Sequence, residues 1–307
     1  MIEVNNLTKK FKSTLAVDDI SLKINEGEVF GCLGHNGAGK TTTMRLILGL
    51  LRPTSGTAHV WGKPLSQNPH LRRKVGVLLE NDGLYENLSG EDNLDYYARL
   101  YEIPDRKNRV SSLLEYTGLD SRRKDKVGTY SRGMRRKLGL ARSILHYPSV
   151  LLLDEPSAGL DPEVQKMVRD LILNLAREEK ILIFLNSHDL DEVERICDRI
   201  AILQRGRVIA CDSIKNLRSA SSEPGVVIVL DEKENPDKAA SVIESFEDVE
   251  RINQTNGKIR VVFKQGKSPD LLPALVNAGI RVSEISRTSR SLEDIYLEII
   301  HREEKQK

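Results

Sequence analysis

Before about residue 218 the apolar positions fall into short solid blocks. Glu28-Val29-Phe30-Gly31-Cys32-Leu33, Val150 to Leu153 and Ile181 to Leu185 have strand length and no polar alternation. Strands buried on both faces of a parallel sheet read this way. Between the blocks the spacing becomes helical. Met44, Ile47, Leu48 and Leu51 share one face of a helix predicted from about Lys40 to Leu51 and ended by Pro53, and a second helix is predicted from about Pro162 to Arg177, with proline in its first turn. At the N-terminus Ile2-Glu3-Val4 and Asp18 to Ile24 read as strands, the latter with Ile20, Leu22 and Ile24 on one face. Residues 57–80 read as short strands and residues 89–146 as highly charged helix. Strands separated by helices predict a parallel α/β sheet.

A Ser/Pro/Gly stretch from Ser219 to Gly225 reads as a linker, and the pattern changes after it. Val226 to Leu230 is a predicted strand, Asp237 to Phe246 a helix, Val249 to Gln254 and Lys258 to Lys264 two strands around Asn256-Gly257, Leu271 to Asn277 a helix, Ile280 to Ser286 a strand and Ser291 to Arg302 a helix. Asn-Gly between two apolar runs is a strong hairpin signal. The order β-α-β-β-α-β is ferredoxin-like. Two domains are therefore expected, residues 1–218 and 219–307.

Composition narrows the function classes. Of 307 residues, 39% are hydrophobic and only 5% aromatic, so a sizeable aliphatic core is expected. Lys and Arg number 47 against 45 Asp and Glu, a balance that does not point to nucleic acid. No apolar run approaches the ~20 residues of a membrane helix, and the N-terminus lacks the charged-then-apolar pattern of a signal peptide. Cys32, Cys197 and Cys211 form no C-x-x-C pair and read as free thiols in a reducing cytosol. A cytosolic protein is expected, and any membrane role requires a partner.

The chemistry lies at the ends of the apolar blocks. Gly34-His35-Asn36-Gly37-Ala38-Gly39-Lys40-Thr41-Thr42 fits G-x-x-x-x-G-K-[ST], after a strand and before a helix. Backbone N–H groups of such a loop and the N-terminus of the following helix face phosphates; Lys40 supplies a point charge and the Thr41 hydroxyl a ligand for Mg²⁺. The block at 150–153 delivers Asp154 and Glu155 at its carboxyl end, where ligands bind in an open α/β sheet. Asp154 suits Mg²⁺, and Glu155 suits orienting or deprotonating the attacking water. The next block ends in Asn186-Ser187-His188-Asp189, which brings His188 to the same sheet edge. Ser131 is a good N-cap for the helix that follows; a helix N-terminus with Ser and Gly can bind an anion, but taken alone the segment reads as an ordinary capped helix with a basic outer face.

The order and spacing of these segments resemble the ABC-type ATPases, over about residues 1–218. In that family a helix carrying L-S-G-G-Q reaches across a dimer to the partner's ATP. Here the motif reads Tyr130-Ser131-Arg132-Gly133-Met134: Ser131 and Gly133 match, while Arg132 and Met134 depart. The resemblance implies that Ser157-Ala158-Gly159-Leu160-Asp161 is the loop that communicates between the two sites, that Phe11 stacks on adenine, and that Glu80 stands where the family carries a glutamine near Mg²⁺ and water. It also implies a P-loop NTPase core with antiparallel β and helical subdomains, ATP and Mg²⁺ as cofactors, a homodimer through the ATP sites, and attachment to the inner face of the cell membrane through a separate permease. Ser291-Leu292-Glu293-Asp294-Ile295-Tyr296-Leu297 is similar to the tail of exporter-type subunits that pair with ABC-2 permeases. The alternative is a soluble ABC-type ATPase with a non-transport role. Two ATPase domains or long coiled coils would favour that alternative, and the sequence shows neither.

Overall fold

The N-terminal alternation builds longer strands than its apolar positions alone predict. In the computed structural model β1 (Ile2–Phe11) and β2 (Thr14–Ile24) form an antiparallel hairpin. Its register shifts at three places, between Val4 and Leu7, Leu7 and Lys9, and Lys9 and Lys10. Asn6 and Asp19 adopt φ of 47° and 55°, and the Asn6 amide donates to the Asp19 carboxylate at 2.9 Å. Asn and Asp tolerate this left-handed conformation best among residues with a Cβ. The buried face carries Ile2, Val4, Leu7, Val17, Ile20, Leu22 and Ile24.

β3 (Val29–Leu33) is wholly buried and feeds, through the glycine-rich loop, into α1 (Lys40–Ile47). The helix stops at Ile47 rather than Leu51. Gly49, at φ 66°, closes it with Leu50 N–H donating to the Arg45 carbonyl at 2.9 Å, so glycine ends the helix before Pro53 is reached. β4 (Ser55–Val60) completes an antiparallel sheet of order β2-β1-β4. Residues 57–80 are less strand-rich than their pattern suggests: after β4 come a 3₁₀ turn, the short α2 (Pro69–Arg72) and only then β5 (Val75–Leu78). Residues 89–146 hold three helices, α3 (Gly90–Leu100), α4 (Arg106–Tyr116) and α5 (Arg132–Ile144).

β6 (Val150–Asp154), α6 (Pro162–Arg177), β7 (Leu182–Ser187), α7 (Leu190–Ile196), β8 (Arg199–Gln204), β9 (Arg207–Ser213) and α8 (Ile214–Ser221) follow. The second sheet runs β5-β6-β7-β3-β8-β9, parallel except for the final β8–β9 hairpin. Phe30 stacks on Phe184 across β3 and β7 with centroids 6.0 Å apart. The rest of the first unit's core is predominantly aliphatic, as the composition predicts.

The structure describes residues 1–221, 225–231, 234–255, 258–264, 267, 269–287 and 291–305. The chain forms two compact units, Met1–Ile214 with the chain end from Tyr296, and Lys215–Ile295. The expected division after residue 218 thus falls inside α8, and Ser219 to Ser221 are helical rather than linker. In the second unit, β10 (Gly225–Leu230), α9 (Pro236–Glu244), β11 (Val249–Thr255), β12 (Lys258–Phe263), α10 (Leu272–Asn277) and β13 (Val282–Arg287) form an antiparallel sheet of order β11-β12-β10-β13, the ferredoxin-like arrangement. Asn256-Gly257 lies outside the described residues; its flanks, Thr255 and Lys258, pair as a hairpin requires. Ile228, Ile243, Ile259, Val261, Phe263 and Leu275 make this unit's own core. α11 (Leu292–Lys305) ends the described chain.

Candidate active site

The phosphate loop is held by close backbone packing. A Cβ on Gly39, at φ 109°, would sit 2.6 Å from the Ala16 carbonyl oxygen, and one on Gly34 would sit 2.5 Å from that of Leu203. Only glycine lets the loop approach β2 and β8 this closely. Lys40 opens α1 and is almost fully buried. Its Nζ donates to the Gly34 carbonyl at 2.6 Å and lies 3.5 Å from Glu155 Oε1. Thr41 Oγ1 donates to Asp154 Oδ2 at 2.9 Å.

Asp154 ends β6 and is buried, where it also accepts a hydrogen bond from Asn186 Nδ2 at 2.8 Å. Glu155 follows at φ 50°, a left-handed turn held by its N–H donating to the Asn186 carbonyl at 3.0 Å. The turn sets its carboxylate between Lys40 and His188, whose Nδ1 is 2.8 Å from Glu155 Oε2. Lys40, Thr41, Asp154, Glu155 and His188 therefore meet at the carboxyl ends of β3, β6 and β7, three adjacent strands. They line a cleft of about 670 Å³ with residues 35–39, Thr42, Glu80, Asp82 and Arg132.

Ser131, Gly133, Asp161 and Phe11 are not among the residues that line this cleft. Ser131 caps α5, its Oγ accepting from Met134 N–H at 3.2 Å, and Asp161 caps α6, accepting from Val164 N–H at 3.0 Å. The Arg132 guanidinium lies over Gly159, in space that a Cβ there would fill. Phe11 stands exposed at the tip of the β1–β2 hairpin, with Lys9 Nζ 4.9 Å from its ring centre.

Sequence reading missed two charged groups, Arg136, which lines the cleft beside Arg132, and Glu192. Arg136 donates to four backbone carbonyls: Nε to Pro156 at 2.9 Å, Nη1 to Leu79 at 3.1 Å, and Nη2 to Asp154 and Glu155 at 2.5 and 2.6 Å. Burial lowers its pKa from the usual arginine value, and the nearby carboxylates partly oppose that shift. Glu192, on α7, accepts from Ser157 Oγ and, at 3.5 Å, from Ser187 Oγ. Its carboxyl pKa is raised, chiefly by burial, and its two hydrogen bonds link the loop after β6 to the end of β7. In the sequence Arg136 is one of several basic residues on a helix and Glu192 one of several acids, so neither stands out.

Residues 17–158 match the ABC transporter family model, and residues 213–300 match the C-terminal domain of DrrA1-3-like ATP-binding proteins. The chain is 38% identical over 300 residues to the uncharacterized ABC transporter ATP-binding protein YhcH of Bacillus subtilis (strain 168), covering 97% of this chain and 95% of that one. It belongs to the ATP-binding subunits of ABC transporters. It is also 36% identical over 303 residues to the bacitracin transport ATP-binding protein BcrA of Bacillus licheniformis, covering 98% and 97% of the two chains. Among solved structures it resembles an ATP-binding subunit of an ABC transporter, with a TM-score of 0.66 and 30% identity over 72% of this chain and 92% of that one. A dimeric ATP-binding cassette bound to ADP and Pi shares the fold, with a TM-score of 0.66 and 23% identity over 70% and 99%.

Membership makes this ABC subunit an ATPase whose hydrolysis is coupled to transport. Subunits of this family dimerise and work with membrane permease components. Among the described residues of this one, no helix is long and apolar enough to cross a membrane.

Proposed function

We propose that the subunit powers an ABC-2 type exporter as a homodimer with two ATP molecules between its copies, held at the inner face of the cell membrane by its permease. The observation that carries the catalytic reading is the position of Glu155, its carboxylate 3.5 Å from Lys40 Nζ and 2.8 Å from His188 Nδ1. Lys40 and the loop N–H groups bind the β- and γ-phosphates. Glu155 orients the attacking water and accepts its proton. His188 holds that carboxylate in place and donates to the γ-phosphate. Ser131 and Gly133, at the N-terminus of α5, bind the γ-phosphate on the second copy. Phe11, exposed at its hairpin tip, stacks on adenine, and Asp161 belongs to the loop that faces the second copy.

Thr41, Asp154 and Glu80 offer hard oxygen donors that fit Mg²⁺, and the 2.9 Å contact between Thr41 and Asp154 brings two of them to one side of the cleft. An Mg²⁺ ion held by these residues would supply positive charge against the phosphates.

The exporter assignment rests on the DrrA-like C-terminal match and the bacitracin-transport relative. Contact with the permease falls to residues 81–100. Tyr85 and Tyr96 are exposed there with ring centres 5.1 Å apart, beside Tyr97 at 5.3 Å from Tyr96. The C-terminal unit supports dimerisation or regulates it.

Steady-state ATPase assays on Glu155→Gln test the catalytic reading. Turnover should fall by roughly 10²–10⁴-fold with ATP binding retained and ATP-bound dimers visible by size exclusion. Parental turnover would overturn it. Tyr85→Ala with Tyr96→Ala should keep basal ATPase and lose co-purification with a co-expressed ABC-2 type permease.

A further inference from the structure

We infer that Arg136 is a positioning residue that couples α5 to the water-facing carboxylate of its own chain, so that a γ-phosphate held on a second copy sets the geometry of Glu155. This rests on the reading of Glu155, Ser131 and Gly133 given above.

The geometry is unusual for a half-buried cation at the edge of the cleft. All four of its hydrogen-bond partners are neutral carbonyls, of Leu79, Asp154, Glu155 and Pro156, and no carboxylate bonds to it. Even partial burial of a guanidinium costs desolvation, which these four carbonyls offset, so the tether between the backbone segments is what arginine supplies at this position. The guanidinium is planar, and its donors keep fixed directions. Three of the four carbonyls belong to consecutive residues, and they converge because Glu155 turns through φ 50°. The same fork that holds this strained turn also holds Leu79, next to Glu80.

Arg136 stands five residues after Ser131 on one continuous helix of 13 residues. At 1.5 Å per residue, the capped N-terminus and the guanidinium are roughly 7–8 Å apart along a stiff rod. A shift of the helix N-terminus onto phosphate therefore moves the fork nearly undiminished. The fork is bonded to the carbonyl of Glu155 itself. Lys40 and His188 hold the carboxylate end of that residue, and Arg136 holds its backbone end. The contact thus joins two half-sites: α5 faces one ATP and Glu155 acts on the other. A group that only stabilised the loop would set the folded fraction and leave each folded molecule's turnover and cooperativity unchanged.

The test uses the full chain with Arg136→Lys, which keeps the charge and loses the fork, and Arg136→Gln, which loses the charge. Steady-state ATPase is measured against ATP concentration, nucleotide binding with a fluorescent ATP analogue, and folding by thermal melt. The expected result is a kcat lowered by about 10- to 100-fold, the scale of an ångström misplacement, with analogue affinity within about threefold and a Hill coefficient reduced toward 1. Parental kcat and Hill coefficient in a folded Arg136→Lys protein overturn the inference. If Glu155→Gln is inactive in the same assay, that outcome leaves the reading of Glu155 standing. Should neither Arg136 variant fold, hydrogen exchange on the Glu155→Gln protein decides. Added ATP should protect amides 131–136 and 154–157 together, and protection of the first segment alone overturns the coupling.

Discussion

Replacing Glu155 by Gln should tighten ATP binding as well as stop turnover, and the arrangement of charges sets the scale. Lys40 Nζ lies 3.5 Å from Glu155 Oε1 and is almost fully buried, while the carboxylate is 24% exposed. An incoming γ-phosphate competes with this carboxylate for Lys40 and is repelled by it. Two unit charges at this separation interact by about 1 kcal/mol in bulk water and about 5 kcal/mol at the effective dielectric of a protein surface. The solvent-facing side of Glu155 favours the lower end of that range. Relief of about 1–2 kcal/mol corresponds to roughly 5- to 30-fold tighter ATP. AMP, which has no γ-phosphate, should gain little. The assay is isothermal titration of parent and variant with a non-hydrolysable ATP analogue and with AMP, at two salt concentrations. The gain should shrink at high salt, though less than for an exposed pair. Equal analogue affinities in parent and variant would refute the competition for Lys40.

Acid should destabilise the first unit through His146. Its ring stacks on Tyr101 at 4.0 Å and its Nε2 is 3.2 Å from the Val75 carbonyl, and burial lowers its pKa to about 4. The folded state therefore prefers the neutral ring, the unfolded chain takes up a proton near pH 6.5, and stability falls by at most about 3 kcal/mol as pH drops from about 6.5 through about 4. Thermal melts across that range should show the decline, and His146→Phe should flatten it. Asn93→Ala should cost roughly 2–3 kcal/mol in urea unfolding, because the buried Asn93 amide bonds the Tyr85 backbone N–H at 2.8 Å and the Tyr85 and Ser89 carbonyls at 3.0 and 2.9 Å. Arg132→Gly, which restores the common motif, should retain turnover with a changed apparent ATP affinity; unchanged affinity and dimerisation would make Arg132 an ordinary surface residue. A chain ending after Ser213 should still hydrolyse ATP but dimerise more weakly, with a lower melting temperature because the residues from Tyr296 group with the first unit.

Much of the site was legible because its chemistry is local. The phosphate loop is contiguous, Asp154 and Glu155 adjoin the strand that delivers them, and Ser131 caps the helix it precedes. The core strands were legible as solid apolar blocks, and the ferredoxin-like unit as a sequence of periods. What the sequence hid is non-local. Arg136 meets carbonyls 18 to 57 positions away, and backbone carbonyls leave no mark on the residues that carry them. Glu192 is bonded to Ser157, 35 positions away. The end of α1 was misplaced because a proline draws the eye while the weaker cue, Gly49, acts first. The early strands were cut short because their bulges break the period-two pattern.

The total burial of β3, β6 and β7 has a consequence for how the chain finds its alignment. A strand with one wet face is locked in register, since sliding by one residue exposes its apolar set. Strands apolar on both faces gain no such protection, and many offsets would bury them equally well. What singles out the native offset lies at the strand ends: Asn186 Nδ2 on Asp154 Oδ1, and Glu155 N–H on the Asn186 carbonyl. Residues kept for handling phosphate are thus also the alignment pins of the sheet. Substituting Asp154 or Asn186 should therefore slow productive folding and increase misaligned, aggregation-prone chains as well as impair chemistry. The same two strands could not be recruited into a different enzyme by exchanging their polar ends without supplying new pins.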